Sequence, residues 1–188
     1  MRARRGLTMC FIRGACRTLG TSTLLVWLLC CPTVAQTGYF GAAQIDITPT
    51  TPIRLSGYVG RDSLPESTGV QQHIMASAAA FGIGSDTSLL ITVDSTGVPG
   101  NVVDVVSANL SASFGIPRER IVISSTHSHS APQINGYLPN LFDPAAGRAL
   151  TPLEQQHVNT YTSQITGWLQ QVGSNALSNR SPGNQITW

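Results

Sequence analysis

Short apolar, β-branched runs and stretches with i, i+4 apolar spacing alternate along the chain, and together they predict its elements. Residues 39–47 read as an opening strand, ended by Thr48-Pro49-Thr50-Thr51-Pro52. Residues 53–58 are short and extended, and the polar run 59–69, with its glycines and proline, is a surface loop. The alanine-rich residues 74–83 and the run 88–94 flank a turn at Gly84-Ser85-Asp86. They predict an antiparallel hairpin whose second strand is buried on both faces. Residues 101–114 form a helix with Val102, Val106, Leu110 and Phe114 along one face, stopped by Gly115. Ile116-Pro117 then leads into an apolar run that begins at Ile121.

A second helix starts at Thr151-Pro152-Leu153-Glu154, where a threonine cap is followed by proline and then by a glutamate three residues after the cap. It runs to about Leu177, with Leu153, His157, Tyr161, Ile165, Trp168, Val172 and Ala176 as its predicted apolar stripe. His157, Tyr161 and Trp168 on that stripe read as packing residues. A turn at Arg180-Ser181-Pro182-Gly183 follows, and residues 185–188 begin another strand, so the domain reads as cut short there. The predicted class is α/β, a mixed β-sheet layered with helices. Its strand–helix–strand passage resembles a right-handed crossover between parallel strands. Ligands in such sheets collect at the carboxyl ends of the strands.

The first 35 residues change the composition. Arg2, Arg4, Arg5, Arg13 and Arg17 precede an apolar block, Leu24-Leu25-Val26-Trp27-Leu28-Leu29-Cys30-Cys31, and the first acidic residue is Asp46. The block is far shorter than the roughly 20 residues of a spanning helix and suits a signal peptide cut after Ala35. A lipoprotein anchor at Cys30 or Cys31 and a mitochondrial leader are the alternatives. The expected division is therefore 1–35 signal peptide and 36–188 one domain, secreted or periplasmic, with no spanning segment after signal removal. All four cysteines (Cys10, Cys16, Cys30, Cys31) lie in the leader, which excludes a disulfide framework or thiolate metal site from the mature chain. Beyond the leader, six arginines face nine acidic residues, a net charge of −3, so the charge offers nothing to nucleic acid.

The candidate chemistry lies at residues 121–132, Ile-Val-Ile-Ser-Ser-Thr-His-Ser-His-Ser-Ala-Pro. A buried strand here turns polar and delivers His127 and His129 two residues apart. With extended backbone, both imidazoles project from one face, as in zinc sites that combine about three protein ligands with an open position. The alternative is a pair of histidines bonded only to neighbouring hydroxyls and backbone. Asp94 closes the preceding strand and could share that edge with them, or act as a turn or capping carboxylate.

These residues resemble the amino-terminal part of the neutral/alkaline non-lysosomal ceramidase family. The matching passages, in order, are Ala43-Gln44-Ile45-Asp46-Ile47-Thr48-Pro49 with Leu55-Ser56-Gly57-Tyr58, residues 69–78, Leu90-Ile91-Thr92-Val93-Asp94, and Gly115-Ile116-Pro117-Arg118-Glu119-Arg120 leading to Thr126-His127-Ser128-His129-Ser130-Ala131-Pro132. The resemblance spans the chain after the leader and about the first third of a family catalytic domain. It implies the incomplete amino-terminal portion of a larger domain that hydrolyses the N-acyl amide of ceramide to fatty acid and sphingosine. It implies zinc (Zn) as cofactor, His127 as a metal ligand, and His129 beside the reacting centre as a proton-transfer group. It places the other ligands, a histidine, a glutamate and a tyrosine, and the catalytic serine, later than residue 188. The chain departs from the family near Gly69, where Gln71, Gln72 and His73 and then Ala76-Ser77-Ala78 replace a Gly-Ile-His-Asp-Pro-Leu run and Ala-Arg-Ala.

The expected function is thus the front part of a secreted zinc amidohydrolase acting on a ceramide-like lipid amide. The alternatives are a related zinc hydrolase with another substrate, or a non-catalytic secreted fragment, either a gene remnant or a weak metal- or sugar-binding module. Without its partners such a piece is expected to expose a sheet edge and apolar surface and to aggregate. Asn109-Leu110-Ser111 and Asn179-Arg180-Ser181 are glycosylation sequons.

Overall fold

The structure is a computed structural model, and it describes residues 37–58, 61, 64–83, 86–137 and 149–183. The predicted leader and the strand expected at 185–188 lie outside the described residues. Strands β1 (Gly38–Asp46), β2 (Met75–Ile83), β3 (Asp86–Val93), β4 (Ile121–Ser125) and β5 (Ser181–Gly183) form one sheet in the order β4-β3-β2-β1-β5. Helix α1 (Gly100–Phe114) connects β3 to β4, and helix α2 (Pro152–Ser178) precedes β5. β2 and β3 pair antiparallel, Ala79 opposite Leu90, as the hairpin reading requires. β3 and β4 pair parallel, Ile91 opposite Ile123, because α1 carries the chain back to start a strand in the same direction. The α/β class with a mixed sheet is what the sequence predicts.

One face of the sheet makes the core. Ala76, Ala78 and Ala80 of β2 and Leu89, Ile91 and Val93 of β3 are buried, and they pack in one cluster with Val102, Val106 and Leu110 of α1 and Val158, Ile165, Leu169 and Val172 of α2. The alanines keep β2 thin, so α2 can lie across both β1 and β3. Gly115 ends α1 in the left-handed region at φ 67°, where its N–H bonds the Ser111 carbonyl. Thr151 and Glu154 form the predicted capping box, with the Thr151 N–H donating to Glu154 Oε2 at 2.7 Å.

Three sequence expectations need correction. β3 is not buried on both faces, since its burial alternates along the strand. The reason is that α1 and α2 pack against each other on the same side of the sheet. On the other side, Phe40, Phe81, Ile83 and Val122 are exposed large apolar residues. The α2 stripe is also rotated: Val158 and Leu169 are buried, whereas Leu153 is 58% exposed and His157 and Trp168 are half-buried. His157 instead pairs with Glu66 at 2.8 Å, tying the stretch around Glu66 to the helix. Finally, residues 181–183 are a short strand beside β1, Tyr39 opposite Pro182, rather than a turn. Pro182 is tolerable there because the strand is at the sheet's outer edge.

The observed α2 face is directly testable. Leu169→Ala, at a position with no exposure, is expected to cost about 2–5 kcal/mol in chemical denaturation. Leu153→Ala, on the predicted stripe but exposed, is expected to change stability by under about 0.5 kcal/mol.

Candidate functional site

The carboxyl ends of the parallel strands β3 and β4 carry the candidate chemistry, and their pairing continues past the strands themselves. The Thr126 N–H donates to the Val93 carbonyl at 2.9 Å, and the Ser128 N–H donates to the Ser95 carbonyl at 3.0 Å. The segment after β4 is thereby sewn to residues 93–96. Thr96 is the hub of this stitching and is only 3% exposed. Its hydroxyl donates to the Ser128 carbonyl at 2.8 Å, so its other contact, at 2.7 Å, must be accepted from the Ser56 hydroxyl. Its carbonyl accepts from the Tyr137 hydroxyl at 3.1 Å and from His127 Nδ1 at 2.7 Å.

That last bond sets the chemistry of His127. A carbonyl can only accept, so Nδ1 carries the proton and the neutral ring presents its lone pair at Nε2. This is the arrangement of a metal-ligating imidazole whose other nitrogen is held by the backbone. The ring is on the exposed side of the segment. His129 is half-buried, and its ring lies edge-on to His127 at a centroid distance of 4.7 Å. Tyr58 lies edge-on to the other side of His129 at 5.0 Å.

The two imidazoles do adjoin, but not for the reason the sequence suggests. β4 ends at Ser125, and His127 adopts φ 60° in the left-handed region, so the backbone is not extended through the motif. The Thr96 and Ser95 bonds hold this conformation, a left-handed residue being uncommon without glycine. Asp94 does share the sheet edge with the histidines. Its Oδ2 accepts the Met75 N–H at 2.9 Å, which makes it a carboxylate that anchors the start of β2. Among the described residues, no group of three or more histidine, cysteine, aspartate or glutamate side chains is placed to hold a metal ion.

The Leu55-Ser56-Gly57-Tyr58 stretch supplies what the motif alone lacks. Leu55 bridges to Pro132, and the Ser56 N–H donates to the Ala131 carbonyl at 2.9 Å, laying this stretch along the histidine segment. Gly57, at φ 114°, faces His129, and a Cβ there would sit 2.7 Å from the histidine Cα. Only glycine lets the two backbones come this close. Arg61 then donates to the Ser56 and His129 carbonyls and stacks over the Tyr58 ring at 4.9 Å. Sequence reasoning assigned no role to Ser56, Gly57, Arg61, Thr96 or Tyr137. The glycine within Leu-Ser-Gly-Tyr was the one visible signal.

A second charged cluster lies at the start of β2. His73 Nδ1 meets Asp46 Oδ2 at 2.6 Å, while Asp46 Oδ1 accepts the Thr48 N–H at 2.8 Å. The bonds from Thr48, and then the one from His73, hold the Asp46 carboxyl at about 2, well below its usual 3.8. Burial pushes the Tyr161 phenol up, with its hydroxyl donated to the Ile47 carbonyl at 3.0 Å.

No protein-family model matches the chain, and no curated protein matches it. Solved structures do. The chain superposes on the neutral ceramidase of Pseudomonas aeruginosa with a TM-score of 0.60 at 19% identity, over 79% of this chain and 23% of that one. It superposes on a ceramidase complexed with C2 with a TM-score of 0.58 at 20% identity, over 79% of this chain and 22% of the other. The fold is shared with part of neutral ceramidase. The sequence resemblance is thus matched by a structural one, and the chain spans under a quarter of the length of each ceramidase it matches.

The depressed Asp46 carboxyl sets an acid limit. A carboxyl held below its unfolded value adds stability that is present above about 3.8 and lost as pH falls toward about 2. Asp46→Asn is therefore expected to lower the melting temperature at pH 5 and to converge with wild type near pH 2, as read by circular dichroism melts across that range.

Proposed function

We propose that this chain forms the front part of a secreted or periplasmic zinc-dependent amidohydrolase acting on lipid amides of the ceramide type. In this reading residues 1–35 are the signal peptide and 36–188 belong to the catalytic domain. The observation that carries it is the bond from His127 Nδ1 to the Thr96 carbonyl, 2.7 Å long, on a ceramidase-like fold. That bond leaves Nε2 as the donor atom a zinc ion requires, so the residue fits the metal that the resemblance implies. One imidazole is a single ligand, and the proposal assigns the remaining ligands and the nucleophile to polypeptide outside these 188 residues.

Zinc bound there would supply Lewis acidity to the amide carbonyl and acidity to a bound water. Part of the remaining work would fall to this chain's own residues. His127 would hold the metal through Nε2, with Thr96 fixing its tautomer and direction. His129, with its ring against His127, is suited to move a proton between attacking and leaving groups. Arg61 and Gly57 set where His129 stands, through its carbonyl and its Cα. Asp94 is a positioning carboxylate, since one oxygen is committed to the Met75 N–H. The exposed Tyr58, whose ring meets His129, gives a lipid tail an apolar face beside the imidazoles, which supports the substrate class.

The test uses the natural protein carrying this segment, assayed for fatty-acid release from a short-chain ceramide. His127→Ala is expected to lower zinc affinity and to lose about 10²-fold or more in turnover. His129→Gln is expected to keep the metal and lose about 10²-fold in turnover. Full activity and unchanged zinc content in His127→Ala would refute the proposal.

A further inference from the structure

The fold holds a concavity whose wall takes in neither His127 nor His129. A cleft of about 810 Å³ opens between the 48–53 and 67–74 segments and the back of the histidine segment. Its wall takes Ser128 and Ser130 and leaves out the histidines that alternate with them. Its volume is in the range of small-molecule sites.

The chemistry of the wall narrows what would fit. Its ionisable groups are engaged with the protein. Arg61 donates to the Ser56 and His129 carbonyls, Asp94 accepts the Met75 N–H, and His73 bonds Asp46. Arg61 and Asp94 keep opposite charges in the same wall, so the cleft offers no single sign of charge to a charged ligand. The remaining polar groups are hydroxyls and primary amides, among them Thr50, Gln71, Gln72 and the two serines. Each can donate and accept. His73 adds the outer edge of its ring, its Nδ1 being bonded to Asp46. Pro49, Pro52, Pro132 and the exposed Val70 contribute apolar faces between these groups. Interleaved donors and acceptors with small apolar patches match a neutral molecule that carries a hydroxyl on nearly every carbon.

We propose that this cleft binds a neutral saccharide, at a site that borders the histidine segment without using either imidazole and that does not rest on the zinc reading. Gln71 and Gln72 are its specificity residues. Both are exposed, so their amides are free to turn toward a ring hydroxyl at little conformational cost to the fold. They stand where the chain departs from the ceramidase pattern, and this is the passage in which the site is built.

The experiment is a titration of the full ¹⁵N-labelled chain, followed by amide shifts. Cellobiose is the probe, with inorganic phosphate and octanoate as charged and apolar controls. Cellobiose is expected to give saturable shifts confined to 48–53, 67–74 and 128–132, and the controls are not. Gln71→Ala with Gln72→Ala is expected to weaken cellobiose about fivefold or more, the loss of about one hydrogen bond. His127→Ala is expected to leave cellobiose binding unchanged, which separates this site from the zinc proposal. No saturable response to cellobiose, or an equal response to phosphate or octanoate, overturns the inference. The wild-type selectivity alone decides the matter if the double variant does not fold.

Discussion

The site depends on one constraint: the parallel pairing of β3 and β4 does not stop where the strands stop. Residues 93–96 and 126–128 continue the ladder in irregular backbone, with the Thr126 and Ser128 N–H groups taking the next carbonyls in line. Parallel strands end side by side, so their following loops leave the sheet together. Here the first loop acts as a template for the second. A buried threonine binds the second loop through its hydroxyl and the imidazole through its carbonyl. The precision of His127 is thus inherited from the core, through Ile91 and Val93, rather than from the loop's own composition.

The elements were legible because each has a local cause. The hairpin, the Val102, Val106 and Leu110 face of α1, the Gly115 stop and the Thr151-Glu154 cap are all short-range rules that hold, whereas Phe114, expected on the same face, is exposed at the helix end. What failed was long-range. Whether β3 is covered on one side or two depends on where α2 packs, and α2 starts nearly sixty residues after β3 ends. The stripe of α2 turned for the same reason. His157 was drawn aside by Glu66, and Val158 took the core position.

The site divides in the same way. The two histidines were visible from their spacing, and their adjacency was correctly expected. The route to it was not, because extended geometry gave way to a left-handed His127. Nothing local in Ser-Ser-Thr-His-Ser-His announces that conformation. It results from two bonds to another strand's end. Thr96, Ser56 and Arg61 were silent for a related reason, since a hydroxyl or guanidinium that binds backbone carbonyls has no sequence period. Gly57 shows the remaining kind of signal, an isolated glycine marking where two backbones must touch.

Among the described residues β4 is the outermost strand on its side of the sheet, and the histidines follow it closely. A strand added alongside β4 would end next to the imidazoles, just as β3 ends next to Thr126. Lengthening the sheet in that direction and walling in His127 are therefore a single geometric event. Any polypeptide able to zip onto that border could bring further side chains within reach of Nε2 without disturbing the core behind it.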